Sequence, residues 1–180
     1  MRIPEELAAI LASTEELTSA YLVGGCVRDW LLGRPNKDFD VEVFGVSYEQ
    51  LALALSRWGR TDLVGRSFGV LKLTTKSGCT YDFNIPRRES KVGIGHTRFA
   101  IELDPSITPK EAASRRDYTI NALTFDPRTN ELLDFFGGRR DLEKRILRHT
   151  GKAFECPSSG ALRQFEVFSK GGSGSVEVSA

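Results

Sequence analysis

Apolar and polar residues alternate along the chain with the periods of short strands and short helices. Period-two runs predict strands at residues 21–23, 38–43, 69–74, 80–84, 123–125 and 132–134. Capping signals and helical spacing predict helices at residues 4–11, 27–32, 47–57 and from 108 onward. Their order predicts a mixed α/β (α+β) fold in which helices flank a small sheet of mixed or antiparallel strands.

Two segments lack this periodicity. Residues 86–97 are rich in Arg, Lys and Gly, a composition that predicts a loop. After residue 150 the chain becomes rich in Ser and Gly, so we expect disorder over at least the last ten residues. The expected organisation is one folded domain over residues 1–150 and a divergent, partly disordered segment over 151–180.

The composition fits a globular protein, with 40% apolar and 27% charged residues. Lys and Arg number 25 against 24 Asp and Glu, a formal net charge of +1, which excludes a histone-like polycation and an acidic tail. Balanced charge leaves a local nucleotide or nucleic-acid site open, because such a site depends on local rather than global charge.

Cysteine usage and hydropathy favour a cytoplasmic protein with no membrane partner. The 3 cysteines are odd in number and far apart, which argues against a disulfide framework and against a zinc knuckle. No apolar run approaches the length of a membrane span, and the acidic start lacks the apolar stretch of a secretory signal.

The first candidate site is the Gly24-Gly25 pair between a predicted strand and a predicted helix, with Arg28 one turn further. Two glycines allow close backbone approach to a ligand, a helix N-terminus offers N–H groups to an anion, and an arginine can bind phosphate bidentately. An ordinary strand–turn–helix corner with a surface arginine has the same pattern.

The second candidate site is the pair Asp38 and Asp40, predicted on one strand and therefore on one face. Two adjacent carboxylates repel each other unless a cation shares them, and Mg²⁺ is commonly held by one or two carboxylates and substrate phosphates. Asp82, or alternatively Glu42, would supply a third carboxylate on that face. A solvated strand face is the other interpretation.

The third candidate site lies near residue 116. If the segment is helical, Asp117 and Asn121 share a face and could contact a sugar hydroxyl together, while Arg115 and Arg116 could hold phosphates. A cluster of helical salt bridges is the alternative. Further on, six basic residues between 139 and 152 would suit either phosphate contact or a solvated helix face.

Taken together, these motifs resemble the head domain of bacterial-type tRNA nucleotidyltransferases (CCA-adding enzymes) and poly(A) polymerases, of the class II type. The resemblance rests on LVGGCVRDWLLGRPNKDFD at residues 22–40, RRDYTINAL at 115–123 and LDFFGGRRDL at 133–142. Residues 86–89 are similar to the start of a mobile loop found in one branch of the family.

The resemblance implies a palm-like nucleotidyltransferase fold and the Mg²⁺-dependent addition of CMP and AMP from CTP and ATP to the 3′ end of tRNA. It implies that Asp38 and Asp40 hold metal and, with Asp82, act in catalysis. It also implies nucleotide-binding roles for a further set of residues, namely Gly24, Gly25, Arg28, Lys37, Arg115, Arg116, Asp117 and Asn121.

The chain departs from the family pattern after the third motif. Family members continue into a helix whose Glu-Asp-x-x-Arg pattern reads the base, whereas here Cys156 replaces the Asp and Ser159 the Arg. The resemblance thus implies a head domain at residues 1–150 and a truncated remnant of the neck at 151–180, with weak selection between C and A. Poly(A) polymerase, an A- or C-adding enzyme, and an impaired nucleotide- or RNA-binding module are the alternatives.

Overall fold

The computed structural model describes residues 1–36, 38–62, 69–91, 99–151 and 177–179, and at 89–91, 99–101 and 177–179 it describes the backbone alone. The helices are α1 (Glu5–Ser13), α2 (Gly25–Leu31), α3 (Tyr48–Ser56), α4 (Pro109–Ala113) and α5 (Gly138–Lys144). The strands are β1 (Ala20–Val23), β2 (Asp40–Val43), β3 (Gly59–Asp62), β4 (Val70–Thr75), β5 (Thr80–Asn84), β6 (Arg87–Lys91), β7 (Phe99–Leu103), β8 (Thr124–Asp126), β9 (Glu131–Leu133), β10 (Ile146–Arg148) and β11 (Glu177–Ser179).

A seven-stranded sheet forms the centre of the fold, in the order β3-β4-β5-β2-β1-β8-β9. Its neighbours are antiparallel except β2 and β5, which run parallel. Parallel pairing needs a crossover connection, and the chain makes it through α3, β3 and β4. The predicted α/β fold with a mixed sheet is confirmed.

One face of the sheet packs on helices and the other carries polar side chains. Along β2, Val41 and Val43 are fully buried, whereas Asp40 and Glu42 are half-buried on the opposite face. The buried face meets apolar side chains of α1 and α3, including Leu7, Ile10, Leu51 and Leu55. Burying one such side chain stabilises the fold by roughly 1.5–3 kcal/mol. The strand therefore anchors in the core through its valines and presents its carboxylates away from it.

Two of the short elements without a counterpart in the sequence prediction are β3 and α5. The strand β3 is polar and pairs with β4 at an edge of the sheet, where Gly59 is necessary because a Cβ there would lie 2.1 Å from the Thr74 carbonyl oxygen. The helix α5 begins where both carboxylate oxygens of Asp134 accept backbone N–H groups, from Gly138 at 2.8 Å and Arg139 at 3.0 Å. Neither the Gly59 contact nor the Asp134 cap involves apolar residues, so a search for apolar periodicity does not find these two elements.

The prediction of a loop over residues 86–97 is wrong in its described part. Residues Arg87–Lys91 form β6, which pairs antiparallel with β7 at five positions, and residues 92–98 lie outside the described ranges. An ion pair between Arg88 and Asp104 joins the two strands at their base. Cross-strand pairing and this ion pair stabilise a hairpin that is too rich in charge to show an apolar period.

The carboxyl-terminal segment differs from the prediction of disorder where the structure describes it. Residues Glu177–Ser179 form β11 and pair in parallel with β10. The boundary predicted at residue 150 remains a prediction, and the two departures at Cys156 and Ser159 lie outside the described residues.

Candidate active site

Two aspartates meet on the polar face of the sheet, where β2 and β5 run side by side. Asp40 is the first residue of β2 and is in register with Asp82 of β5, so both side chains leave the sheet on the same side. The pKa of Asp40 is raised from its ordinary value, first by burial and then by the charge of Asp82. Arg116 and Lys72 act in the opposite direction, and Asp38 adds to the rise.

Asp38 lies before β2 rather than on it, which corrects the prediction that it shares a strand face with Asp40. The residue is exposed, in the loop that follows α2. It nevertheless lines a cavity together with Asp40, and its charge contributes to the raised pKa of Asp40. The loop, and not the alternation of a strand, brings the two carboxylates together.

The donor set around Asp40 fits a divalent cation shared with a phosphate ligand. Within the described ranges no three His, Cys, Asp or Glu side chains form a metal cluster, so protein carboxylates would supply only part of a coordination shell. Asp82 Oδ1 is shielded from solvent and accepts no hydrogen bond of good geometry in the described part, although Lys72 Nζ lies 3.2 Å away. One or two carboxylates completed by substrate oxygens is the arrangement typical of Mg²⁺.

The glycine turn at the end of β1 packs against an arginine of the third candidate site. Gly24 has φ of 72°, and a Cβ at that position would lie 2.9 Å from Arg116 Nη1. Arg116 Nη2 is 3.2 Å from Glu42 Oε2, so the carboxylate considered as a third metal ligand is instead paired with this guanidinium. Arg116 Nε is buried and meets no acceptor within the described part of the chain.

A hydrogen-bond network links Arg28 to the segment around Asn121. Arg28 Nη1 donates to Asn121 Oδ1 at 2.7 Å, and Asn121 Nδ2 donates to Asp117 Oδ1 at 2.8 Å. Arg28 Nε is 2.9 Å from Asp29 Oδ1. The contact predicted between residues 117 and 121 is thus present in the structure, and it extends to an arginine on α2.

The backbone that makes this contact is not helical in the way considered for Asp117 and Asn121 from the sequence. The helix α4 ends at Ala113, and a turn leads into a single 3₁₀ turn at Thr119–Asn121. Asp117 accepts a hydrogen bond from the Tyr118 backbone N–H at 2.8 Å, so its side chain competes with helix formation at that point. Tertiary contacts rather than helical spacing place Asn121 near Asp117.

Arg115 points away from the Arg28 network. Its Nη1 donates to the backbone carbonyl of Arg87 on β6, and it lines a cavity of about 340 Å³ with Asp40, Glu42 and Arg116. A second cavity of about 330 Å³ lies on the other side of Asp40, beside Gly25 and Asp38. Asp40 is therefore the residue common to both cavities. The predicted contribution of Lys37 lies outside the described residues.

Two residues that the sequence prediction did not use support the loop that carries Asp38. Asn36 Nδ2 donates to the Cys26 backbone carbonyl at 2.7 Å, which ties the loop to α2. Cys26 itself is buried beside Asp40, and burial raises the pKa of its thiol to about 11, so it packs as a neutral group. The Asn between a proline and a lysine is a turn signal that could have indicated the first of these contacts.

A mixed sheet whose adjacent strands present two aspartates, beside a Gly-Gly turn and a half-buried arginine, is the fold of a nucleotidyltransferase. A family model described as the poly A polymerase head domain matches residues 20–148. The chain belongs to this family. In the described ranges no helix is long and apolar enough to cross a membrane.

Curated relatives of this chain are named multifunctional CCA proteins. The protein of Stenotrophomonas maltophilia strain K279a is 45% identical over 134 residues, which cover 74% of this chain and 31% of the relative. The protein of Aromatoleum aromaticum is 40% identical over 158 residues, covering 84% of this chain and 37% of the relative. The chain spans about a third of the length of such relatives.

Solved structures of similar fold are CCA-adding enzymes. The enzyme of Bacillus stearothermophilus in complex with CTP superimposes with a TM-score of 0.70 at 29% identity, covering 91% of this chain and 38% of that one. The Thermotoga maritima enzyme complexed with tRNA_CCA gives a TM-score of 0.61 at 28% identity, covering 83% of this chain and 34% of that one. The similarity therefore extends across nearly the whole chain but over only a fraction of either enzyme.

Proposed function

We propose that this chain is the catalytic head of a Mg²⁺-dependent nucleotidyltransferase that adds CMP and AMP from CTP and ATP to the 3′ end of tRNA, releasing pyrophosphate. The observation that carries the proposal is the register of Asp40 with Asp82 next to the Gly24 turn and Arg116. The names of the relatives and of the similar structures support CCA addition as the reaction.

Asp40, with Asp38 from the loop and Asp82 from β5, would hold Mg²⁺. The ion, when bound, lowers the pKa of the attacking hydroxyl and neutralises charge on the leaving pyrophosphate. The raised pKa of Asp40 supports this role, since the three carboxylates repel one another until a cation shares them. Lys72 limits the repulsion through its ion pair with Asp82.

The nucleotide would lie against the Gly24-Gly25 turn, with its phosphates near Arg28 and Arg116. The Nε and Nη1 groups of Arg28 are already engaged by Asp29 and Asn121, whereas Nη2 lies 3.5 Å from the position that a Cβ on Gly25 would occupy, facing the turn. Asp117 and Asn121 would contact the ribose. Lys37 adds a positive charge next to Asp38 in this proposal.

Arg115 would contact the RNA in the larger cavity, which it lines together with Asp40. Its contact with the Arg87 carbonyl couples the β6–β7 hairpin to the wall of the larger cavity. We place the tRNA end in this cavity, where Arg87, Arg115 and Arg116 give a positive lining. The cytoplasm is the proposed compartment, because the scattered cysteines suit a reducing environment.

The test is a calorimetric titration of the chain with CTP and with ATP, with and without Mg²⁺, next to incorporation assays on tRNA lacking its CCA end. We expect Mg²⁺-dependent binding of both nucleotides, lost in the double variant Asp38→Ala/Asp40→Ala. The double variant Glu131→Ala/Glu143→Ala removes two exposed carboxylates and serves as the matched control. A folded chain that binds neither nucleotide contradicts the proposal.

A second candidate is a nucleotide- or RNA-binding module without transfer activity. It would use the same carboxylates and the same Gly24 turn to hold the nucleotide, without transferring it. Mg²⁺-dependent nucleotide binding without incorporation into tRNA would select this candidate. Supplying one nucleotide at a time would then separate CCA addition from poly(A), A-only or C-only addition.

A further inference from the structure

Outside the nucleotide pocket, one carboxylate is almost fully buried and takes no part in the functions assigned above. Asp141 of α5 is 4% exposed. Its Oδ2 accepts a hydrogen bond from Thr119 Oγ1 at 2.7 Å and from Arg148 Nε at 3.1 Å. A buried carboxylate is costly unless it is paired, so the position of Asp141 is tightly coupled to that of Thr119.

Thr119 is the first residue of the 3₁₀ turn that ends with Asn121. It is 2% exposed, and α5 approaches it so closely that a Cβ on Gly138 would lie 2.1 Å from the Thr119 carbonyl oxygen. A side chain at 138 would therefore push the turn away. Side chains of Tyr118, Ile120, Leu142 and Leu147 form a separate apolar cluster around the same contact.

Residues 149 and 150, which follow α5 and β10, contact the beginning of the stretch from 114 to 121. The His149 ring stacks on Tyr118 with centroids 4.7 Å apart, and Thr150 Oγ1 donates to the Ser114 carbonyl at 3.1 Å. The Thr150 backbone N–H also donates to the Asp117 carbonyl at 3.4 Å. The stretch from 114 to 121 is thus fixed at both ends by a part of the chain that lies outside the pocket.

We propose that Asp141 is a positioning residue that acts through Thr119 to hold Asn121 against Arg28. The inference rests on the proposed function, in which Arg28 and Asn121 contact the nucleotide. Asn121 Oδ1 reaches Arg28 Nη1 at 2.7 Å, and a hydrogen bond of that length depends on the placement of the 3₁₀ turn. The buried pair thereby orients two ligand-contacting side chains that it does not touch.

The test uses Thr119→Val, which keeps the volume of the side chain and removes the donated hydrogen bond. We expect CTP affinity to fall by about 10-fold, the lower range for loss of a group that orients a ligand-contacting residue. Thr119→Ser restores the donor and should restore affinity. Glu143→Gln, at an exposed position of α5, is the matched control.

If Thr119 has only a structural role, Thr119→Val should lower the melting temperature, and any loss of CTP affinity should not depend on Asn121. We therefore measure the same substitution in an Asn121→Ala background, where positioning predicts that the loss of affinity disappears while the loss of thermal stability persists. An equal loss of affinity in both backgrounds overturns the proposal.

Nuclear magnetic resonance of the nucleotide-free chain separates this inference from the proposed function. Thr119→Val should shift or broaden the Asn121 side-chain amide signals, whereas Thr119→Ser and Glu143→Gln should leave them unchanged. If Thr119→Val does not fold, Asp141→Asn is the variant measured in its place. Unchanged Asn121 signals overturn positioning, and failure of the wild-type chain to bind nucleotide overturns only the proposed function.

Discussion

Tyr81 and Asp82 are consecutive residues of β5, and each belongs to a carboxylate cluster on its own face of the sheet. On the buried face, Glu6 of α1 accepts hydrogen bonds from Thr75 at 3.1 Å, from Ser77 at 2.9 Å and from Tyr81 at 3.5 Å. On the polar face, Asp82 lies beside Asp40. One cluster surrounds a carboxylate with donors and the other places like charges together.

The difference between the clusters distinguishes a stabilising contact from a binding site. Hydroxyl donors satisfy Glu6 within the protein, so nothing further is required there. The pKa of Asp40 is raised by burial and by neighbouring carboxylates, and in the proposed function a bound cation would offset that repulsion on the polar face. A substitution should therefore affect stability in the Glu6 cluster and ligand binding in the Asp40 cluster.

The largest expected effect is that of Asp40→Asn, which should lower nucleotide incorporation by about 10³-fold or more because an electrostatic group at the reacting centre is lost. The pKa of Asp40 is higher in the folded chain than in the unfolded chain. Native stability is therefore lost as the pH rises from the unfolded pKa of this carboxyl to its folded pKa. At neutral pH the variant should then melt at or above the wild-type temperature.

Incorporation assays and melting curves from acidic to neutral pH check both parts of this prediction. Glu131→Gln, on the exposed edge strand β9, is the control for the loss of one charge. Retained incorporation, or a melting temperature well below that of the wild type at neutral pH, would contradict the assignment of Asp40.

Glu6→Ala should lower stability and leave nucleotide binding unchanged, the opposite of the effects expected for Asp40→Asn. The change leaves the Thr75 and Tyr81 hydroxyls without their carboxylate, and loss of a shared acceptor from buried donors costs roughly 1–3 kcal/mol of unfolding free energy. Chemical denaturation measures the loss, and CTP affinity should stay at the wild-type value. Glu5→Ala, at the exposed neighbouring position of α1, should be near neutral in both measurements.

Lys72→Met tests how far the positive charge of Lys72 offsets the negative charges of Asp40 and Asp82 on the polar face. Lys72 is paired with Asp82 at 3.2 Å and lowers the pKa of Asp40, so its removal should raise that pKa further. The acid limb of the pH–activity profile should move to higher pH, modestly and less at high salt, because both partners are partly exposed. Lys76→Met, in the exposed β4–β5 turn, should leave the profile in place.

The smallest effect concerns a cysteine in each cluster. Cys26 lies buried beside Asp40, and burial raises the pKa of its thiol to about 11, whereas Cys79 is exposed in the turn near Glu6. At neutral pH a thiol reagent should label Cys79 and spare Cys26, as read by peptide mapping. Labelling at Cys79 should not change nucleotide affinity, and rapid labelling of Cys26 in the folded chain would contradict the burial described above.

The sequence predicts the parts of the fold that depend on neighbouring residues. The helix starts predicted near residues 47 and 108 are confirmed, and each has a capping box completed within one helical turn, Ser47–Gln50 and Thr108–Glu111. The strands that flank the Lys76–Gly78 turn are also confirmed. The β6–β7 hairpin and α5 escape prediction because cross-strand pairing with the Arg88–Asp104 ion pair and an Asp134 cap, rather than an apolar period, hold them.

In the candidate site, too, the types of residue can be predicted from the sequence, whereas their placement depends on the tertiary structure. The Gly-Gly turn and the acidic residues at 38, 40 and 82 are candidates from their types and spacing, and the resemblance to a family supports them. Asp38 reaches Asp40 from a loop, and Arg115 turns to the Arg87 carbonyl, since these placements depend on contacts with residues distant in sequence. Such contacts leave no periodic signal.

The amino-acid sequence by itself determined the family and most of the elements of this protein and indicated the kind of chemistry, because turns, caps and short motifs are local properties of the chain. Only the tertiary structure decided that Asp40 lies in register with Asp82, that Glu42 pairs with Arg116 and that Asp141 supports the turn carrying Asn121. Parallel strand pairing and buried hydrogen bonds join distant segments, and their energies depend on three-dimensional packing rather than on any neighbouring residue.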